Sequence, residues 1–406
     1  MSKRYVNTYT DPDGVKHYPT PAIDKLTEID AVDPDLDELV IHDNSQTTGQ
    51  REKRVKPSKL WPMRARTILG RARSSGGPQV IKPEQMLATT SRAGFMAADD
   101  KAIVDALYNP NILVDGNFEY WDEGTSGAAG IYGPTMAYIW EATWERSTNV
   151  PDGSKYSVKI ARTSIEMDIF YFVPAYIGRQ LAGNDITLSW WAQNVANVSY
   201  TRCFIQSFDA EDTPSAVTTR HSGTSFTTID GTWRKFTQTF TLHADCANGF
   251  RLRIRLGHSS SLALDGRIAQ VKLEPGTVAT PFYQGPEERE RVNRYYWKTY
   301  NPAIIPGSVN NVGCIAWSMV GVSRTYGWTN IYPPAQFRTT PSVTIYSTDS
   351  GAAGKLYNVD ASEDTDGVTL YYEGVNKFTI APGSGDSLNL GDRLMAHVVA
   401  DSRFYP

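Results

Sequence analysis

The sequence offers few groups at spacings that do covalent chemistry, and most fail a requirement of that chemistry. Gly385-Asp386-Ser387-Leu388 has the form of a serine-nucleophile block. Such a serine needs a base oriented toward it, supplied further along the chain. Only His397 follows, inside a stretch patterned as a strand, so Asp386-Ser387 reads as a hairpin turn. Asp33-Pro-Asp-Leu-Asp-Glu38 opens like a calcium-binding EF-hand loop. That loop needs Gly at its sixth position and Glu at its twelfth, where Glu38 and Asn44 stand. His17, His42, His221, His243, His258 and His397 show no metal-ligand spacing, and no cysteine joins them at zinc-site distances. Gly76-Gly77 leads into Pro78 with no Lys-Ser after it, so no phosphate-cradling loop is expected. Paired carboxylates for glycoside hydrolysis stay open, because any two acids can meet in space.

The positive signal is aromatic. Tyr132, Tyr138, Trp140 and Trp144 crowd one Gly-rich segment, and Tyr326, Trp328 and Tyr332 crowd another. Aromatic rings with polar tips suit sugar faces and wet interfaces, and they equally fill cores. Both uses stay open for the 130–145 stretch. Trp191 and Trp233 fall inside strand patterns and are read as core.

The elements that position these rings are mainly β. Asp185–Asn194, Tyr200–Phe208, Thr232–Leu242, Gly249–Gly257 and Ile268–Glu274 alternate in period two or run apolar between turns, as in a jelly-roll sandwich. A second β texture covers 313–322, 341–348, 367–374, 376–383 and 393–405, predicting a smaller sandwich. Between them Pro275-Gly276 turns the chain out, and Phe282 is expected to lie back across the first sandwich. Pro286 then opens a helix over 286–299, with Glu287, Glu288 and Glu290 in its first turn. On that helix Val292, Tyr295, Tyr296 and Thr299 share one face, expected to pack between the sandwiches. Upstream, Leu39–Ile41 and a stretch ending at Val55 predict a β-hairpin module. Residues 65–87 read as a connector, and a helix from Asp99 carries the short stripe Ile103, Val104 and Leu107. That stripe is too short to hold a lone helix in water, so a symmetric neck is expected. The expected domains are 1–60, 61–110, 111–285, a linking helix at 286–300, and 301–406.

Composition narrows the class. A chain of 406 residues predicts more than one domain. The net charge of −4 argues neither for nor against nucleic acid, no nucleic-acid partner is expected, and no apolar run approaches a membrane span. Acidic residues concentrate in 24–43 and basic ones in 51–73, a dipolar end that suits either docking onto protein partners or a solvated segment. Cys203, Cys246 and Cys314 are unclustered and odd in number, fitting a reducing compartment, and the first residues lack a signal-peptide pattern.

Five segments, in order, also resemble parts of bacteriophage tail fibres. ILGRARSSGGPQVIKPEQML (68–87) is similar to their connector, and TTSRAGFMAADDKAIVDAL (89–107) to their neck. NILVDGNFEYWDEGTS (111–126) resembles the opening of their β-sandwich modules, and KLEPGTVATPFYQGPEERERVNRYYWKTY (272–300) the way those modules close. YPPAQFRTTPSVTIYST (332–348) is similar to their C-terminal heads. The neck departs in one place: Ala97 stands where the family usually has a serine N-cap, leaving Asp99 or Asp100 to cap.

The resemblance implies a homotrimeric tail fibre or receptor-binding protein in the virion tail. Its N-terminal end would meet tail or baseplate proteins, and its distal domains a bacterial polysaccharide or outer-membrane receptor. The first sandwich also resembles carbohydrate-binding modules, with Asn117-Phe118-Glu119 and Ala263–Glu274 where those carry first and last strands. Some of them hold a structural calcium, for which Asn117, Glu119 and Asp265 are the candidates; no other cofactor is expected. The leading expectation is a non-enzymatic adhesin. The alternatives are a depolymerase or deacetylase on the same fibre, and a bacterial carbohydrate-binding surface protein.

Overall fold

A computed structural model describes residues 111–406, except 303, 321–326 and 384–387, together with the backbone of six short strands before residue 111. Ile103, Val104, Leu107, Tyr326, Asp386, Ser387 and the Asp33–Glu38 block lie outside the described residues. The chain divides into two compact units, Met1–Lys101 and Ala102–Pro406.

The first unit contains three antiparallel ladders. These are β1 (Tyr9–Thr10) with β2 (Lys16–His17), β3 (Leu39–His42) with β4 (Glu52–Val55), and β5 (Ile68–Gly70) with β6 (Gln79–Ile81). The β3–β4 ladder, in register Leu39↔Val55, is the hairpin that the apolar triplet predicts. The stretch read only as a connector holds β5 and β6, which flank its Ser-Ser-Gly-Gly-Pro break.

The second unit begins with the short strands β7 (Ser126–Gly127), β8 (Ile131–Tyr132), β9 (Tyr138–Trp140) and β10 (Thr143–Ser147). Then follow β11 (Ser157–Val173), helix α1 (Ala175–Leu181), β12 (Asp185–Ala196), β13 (Tyr200–Ala210), β14 (Thr213–Ser222), β15 (Arg234–Thr241) and β16 (Phe250–Pro275). Two of these strands are long enough to serve both layers. The second half of β11 and the first half of β16 lie in one sheet, between β9 and β13. Their other halves lie in the opposite sheet, between β10 and β12. The register slips between Ser164 and Glu166, where β11 passes from layer to layer. Gly249–Gly257 and Ile268–Glu274, read as separate strands, are therefore two halves of β16.

Inside the sandwich apolar residues of the two sheets face each other, with the alternation reset where the β12–β16 register shifts. Ile169, Tyr171, Leu252, Ile254, Cys203 and Ile205 of one sheet meet Ile160, Leu188, Trp190, Ile268 and Leu273 of the other. In the Trp190-Trp191 pair it is Trp190 that fills the core, and Trp191 is half-buried on the outer side. Trp233 is half-buried too, its indole donating to Asn149 Oδ1 at 2.8 Å. Neither is the core residue its strand pattern suggests.

The opening segment 111–119 is not a strand. It follows β16 through borrowed hydrogen bonds instead: Asn111 Nδ2 donates to Val271 O, and Asn111 Oδ1 accepts from Leu273 N. A Cβ on Gly116 would sit 2.1 Å from the Val271 carbonyl oxygen, so only glycine admits this approach. Asp115 and Phe118 take positive φ angles, which breaks extended pairing at Asn117-Phe118-Glu119. At the closing seam, fully buried Lys272 meets Glu274 (3.1 Å) and Thr280 Oγ1 (2.5 Å), while Thr280 N donates to Glu274 Oε1 (2.9 Å). These bonds fold the Ala-Thr-Pro segment back on the last strand, and Phe282 there is half-buried.

The linking helix is shorter than its sequence suggests. Helix α2 covers Glu288–Asn293, and Tyr296–Lys298 forms β17 instead of a further turn. Aromatic residues favour an extended, paired backbone, and the C-terminal strand supplies the pairing edge at Tyr296↔Asp401. Val292 and Tyr295 still pack between domains, against Met136, Phe208 and Phe404. Tyr296 leaves that face and joins Tyr300 and Val399.

The C-terminal domain adds β18 (Ile315–Ser318), β19 (Thr329–Ile331), β20 (Ser342–Tyr346), β21 (Tyr357–Asn358), β22 (Glu363–Asp364), β23 (Val368–Tyr371), β24 (Phe378–Pro382) and β25 (Arg393–Asp401). Strand β25 pairs with β17, β18, β20 and β21. A separate sheet, β19-β24-β23, closes over a core that includes Phe337, Phe378, Ile380, Leu394 and Val398.

After β25 the chain runs back onto the first sandwich. Arg403, with its side chain 1% exposed, bonds Glu123 Oε2 (2.7 Å) and Asp401 Oδ2 (2.6 Å) and lies over the rings of Tyr132 and Tyr296. Phe404 stacks on Phe172 at 5.7 Å, and its carbonyl accepts the Tyr132 hydroxyl. Breaking a buried, paired charge costs about 3–5 kcal/mol. Arg403→Ala should therefore lower stability by that order in urea denaturation and speed proteolysis of the 283–294 segment. Unchanged values for both would show that this contact does not hold the domains together.

Candidate functional site

Two faces of the second unit carry concentrated aromatic and charged side chains. The first is the outer side of the β13-β16-β11-β9 sheet. Register places Trp140, Asp168, Arg255 and Arg202 in one row, and Tyr138, Phe170, Arg253 and Phe204 in the next. The guanidiniums lie on rings: Arg251 is 4.6 Å from Phe170 and Arg255 is 5.0 Å from Phe204. Asp168, 1% exposed, is held by Arg253 (2.6 Å) and Arg255 (3.0 Å), and Glu166 also meets Arg255. Burial pushes the Asp168 carboxyl up to about 6, against the pull of Arg255. Arg251 and Arg202 are likewise tied to Gln206, Gly223 and Ser222. Most of these charges bond one another or the backbone.

This face decides the fate of the first aromatic group. Tyr132 and Tyr138 are 2% and 6% exposed: the tail after β25 covers Tyr132, where Tyr405 meets it edge-on at 5.5 Å, and Tyr138 packs among Tyr132, Phe170 and Phe172. Trp144 points inward, 5.9 Å from Trp121, and the rings fill space that a Cβ on Gly127 or Gly133 would occupy. Trp140 is half-buried, 6.0 Å from Phe170. The expectation of a sugar-binding flank at Tyr132, Tyr138 and Trp144 therefore fails. Their rings hold the sandwich and its joint together.

The second face, on the C-terminal domain, is open. Trp328 is 52% exposed, Tyr332 67%, Tyr371 38% and Tyr372 70%. Trp328 and Tyr372 have centroids 6.2 Å apart, and Tyr371 and Tyr372 are 6.3 Å apart. The β19-β24-β23 sheet positions them: Trp328 precedes β19, Tyr332 follows it, and Tyr371 ends β23 opposite Thr379. Between them, Thr379 of the central strand β24 donates to Asn330 Oδ1 of β19 at 2.7 Å. Lys377 Nζ stands 5.9 Å from the Tyr332 ring. Trp328 and Tyr332 are thus exposed where the sequence put them. Tyr371 and Tyr372, which the sequence pattern marks only as strand, join them on this face. The signal for them is two tyrosines running into a Glu-Gly turn: β23 ends at Tyr371, and Tyr372 takes a positive φ of 51°, which leaves both rings exposed.

His397, the base that the 385–388 block would require, is committed elsewhere. His397 is fully buried in β25, with Nδ1 near Thr299 Oγ1 (3.0 Å), Nε2 near Asn310 O (2.9 Å), and its ring on Tyr300. Both nitrogens are engaged, so His397 is a core residue. No cluster of three His, Cys, Asp or Glu side chains able to hold a metal occurs among the described residues. Of the calcium candidates, Asn117 Oδ1 accepts from Ser154, and Asp265 pairs with Lys159 at 3.2 Å. All three cysteines are free, with Cys203 and Cys246 buried. No described helix is long and apolar enough to cross a membrane.

No protein-family profile and no curated protein matches the chain. Among solved structures, a xylan-binding domain from Paenibacillus barcinonensis is similar over 42% of this chain and 100% of its own, with 14% identity and a TM-score of 0.30. The enzymatically active domain of a bacteriophage CBA120 tailspike protein is similar over 41% of this chain and 21% of its own, with 11% identity and a TM-score of 0.29. Modules of a Clostridium thermocellum endo-xylanase are similar over 41% of this chain and 30% of theirs, at 9% identity and a TM-score of 0.28. Likenesses of this size assign no family. The architecture is mainly β, with antiparallel sheets packed around apolar cores.

Open and core aromatics should separate by mutation. Trp328→Ala and Tyr372→Ala should shift stability by no more than about 0.5 kcal/mol, as exposed sites do. Trp144→Ala should cost about 3–5 kcal/mol. Retention on a polysaccharide affinity gel should fall for the first two only, and loss of stability in Trp328→Ala would remove that ring from the open face.

Proposed function

We propose that this chain is a non-catalytic glycan-recognition protein, the receptor-binding fibre of a bacteriophage tail. It attaches to tail or baseplate proteins through its N-terminal unit and meets a bacterial surface polysaccharide through its C-terminal domain. The observation that carries this reading is the open set Trp328, Tyr371, Tyr372 and Tyr332, four exposed rings at the strand ends of the β19-β24-β23 sheet. Exposed rings keep unfavourable contact with water until an apolar surface covers them, and the C–H face of a pyranose is such a surface. The phage setting rests on the five fibre-like segments of the sequence.

Trimerisation belongs to the same reading. Val309, Val312, Val320 and Leu390 are 56–73% exposed, apolar side chains that contact between copies would remove from water. Three shallow sites on one fibre raise avidity without new contacts.

Three measurements test the proposal. Light scattering should give about three times the 45.1 kDa chain mass, and a strict monomer at micromolar concentration would remove the fibre reading. Host polysaccharide incubated with the protein should be bound but neither shortened nor deacetylated; released oligosaccharide or acetate would install the enzyme reading. Excess purified chain should block phage adsorption to susceptible cells, and Trp328→Ala/Tyr372→Ala should block it less. Equal blocking by both would move recognition off these rings.

A further inference from the structure

A second concave site lies where the 119–125 loop of the first sandwich meets Pro302 and Ile305 of the C-terminal domain. It encloses about 340 Å³, within the range of small-ligand pockets. Its walls combine ring faces with charge: Tyr120 and Tyr156 are half-buried, Ile305 is 51% exposed, and Glu119, Arg146 and Lys155 are exposed at the rim. Gly124, at φ 125°, brings the loop close enough that a Cβ there would lie 3.4 Å from Ile305.

The charges in this pocket are unequal. Arg146 stands 4.4 Å and Lys155 5.2 Å from the centre of the Tyr156 ring, and among the described residues neither has an ion-pair partner. The neighbouring carboxylates are committed elsewhere: Glu145 to Lys159, Asp122 to Arg289 and Glu123 to Arg403. Glu119 remains, with a contact from Gln284 at 3.5 Å. The result is a ring-lined pocket with two available cations and one available acceptor.

We propose that this pocket binds a uronic-acid unit of an acidic polysaccharide. The pyranose C–H face lies against the exposed Ile305 side chain, and its carboxylate sits between Arg146 and Lys155, which the Tyr156 ring holds in place, in charge-assisted hydrogen bonds. Sugar hydroxyls donate to the Glu119 carboxylate. Only the choice of a sugar as the source of the carboxylate rests on the glycan-recognition reading; the two cations and the apolar wall stand on the geometry.

The test uses the full chain and saturation-transfer NMR with D-glucuronate, D-glucose and acetate as separate probes. Glucuronate should bind saturably, with glucose and acetate each weaker by about tenfold or more. Arg146→Ala and Lys155→Ala should each weaken glucuronate about tenfold, while Trp328→Ala leaves it unchanged. Absence of glucuronate binding, or full retention in the Arg146→Ala/Lys155→Ala double variant, overturns the proposal. Acetate binding as tightly as glucuronate overturns the sugar assignment. Because Trp328→Ala reports on the open rings alone, failure there and failure here are read independently.

Discussion

The arrangement of the two β-domains depends on a buried guanidinium. Arg403 leaves water almost completely and is compensated by two carboxylates and two aromatic faces. A charge so placed tolerates little displacement of either domain, because movement would leave it unpaired in a low-dielectric joint. Neighbouring residues reinforce it: Arg338 pairs with Asp212 of the first sandwich and lies 3.8 Å from the Phe404 ring. Lys298, also fully buried, donates to the carbonyls of Asp122 and Ile304, one on each side of the joint. Burial pulls its ammonium down to about 8, and the Asp122 carboxylate opposes that shift.

This polar joint explains why the first aromatic group serves structure. The outer sheet face would be an open aromatic surface if the chain stopped at β25. The last five residues fold over one end of it, and the arginines of β16 and β13 lie across the remainder. Asp168 sits beneath them as the counter-charge. Once covered in this way, the rings contribute packing and leave little face for a sugar.

The β19-β24-β23 sheet has no such cover among the described residues. Its inner side is sealed by Phe378 and Ile380, while Trp328, Tyr332 and Tyr372 stay in contact with water. A recognition surface needs this asymmetry, with backing that fixes ring positions and a front free to accept a ligand.

The sequence alone determined the fold class and most strands, because period-two alternation records which residues face a core. It also showed the hairpin at Leu39–Val55, the strand placement of His397, and Trp328 and Tyr332 as candidates. Only the tertiary structure decided which aromatics are available. Tyr132 and Trp328 look alike in sequence, each an aromatic near glycine and short strands. They differ because a tail some 270 residues away in sequence folds over the first, and no local pattern records that contact. The early end of helix α2 has the same cause: β25 offers Tyr296 a pairing edge that local helix signals cannot foresee. Pairing and burial across long sequence separations depend on the partner as much as on the residue, so they become visible only once both are in place.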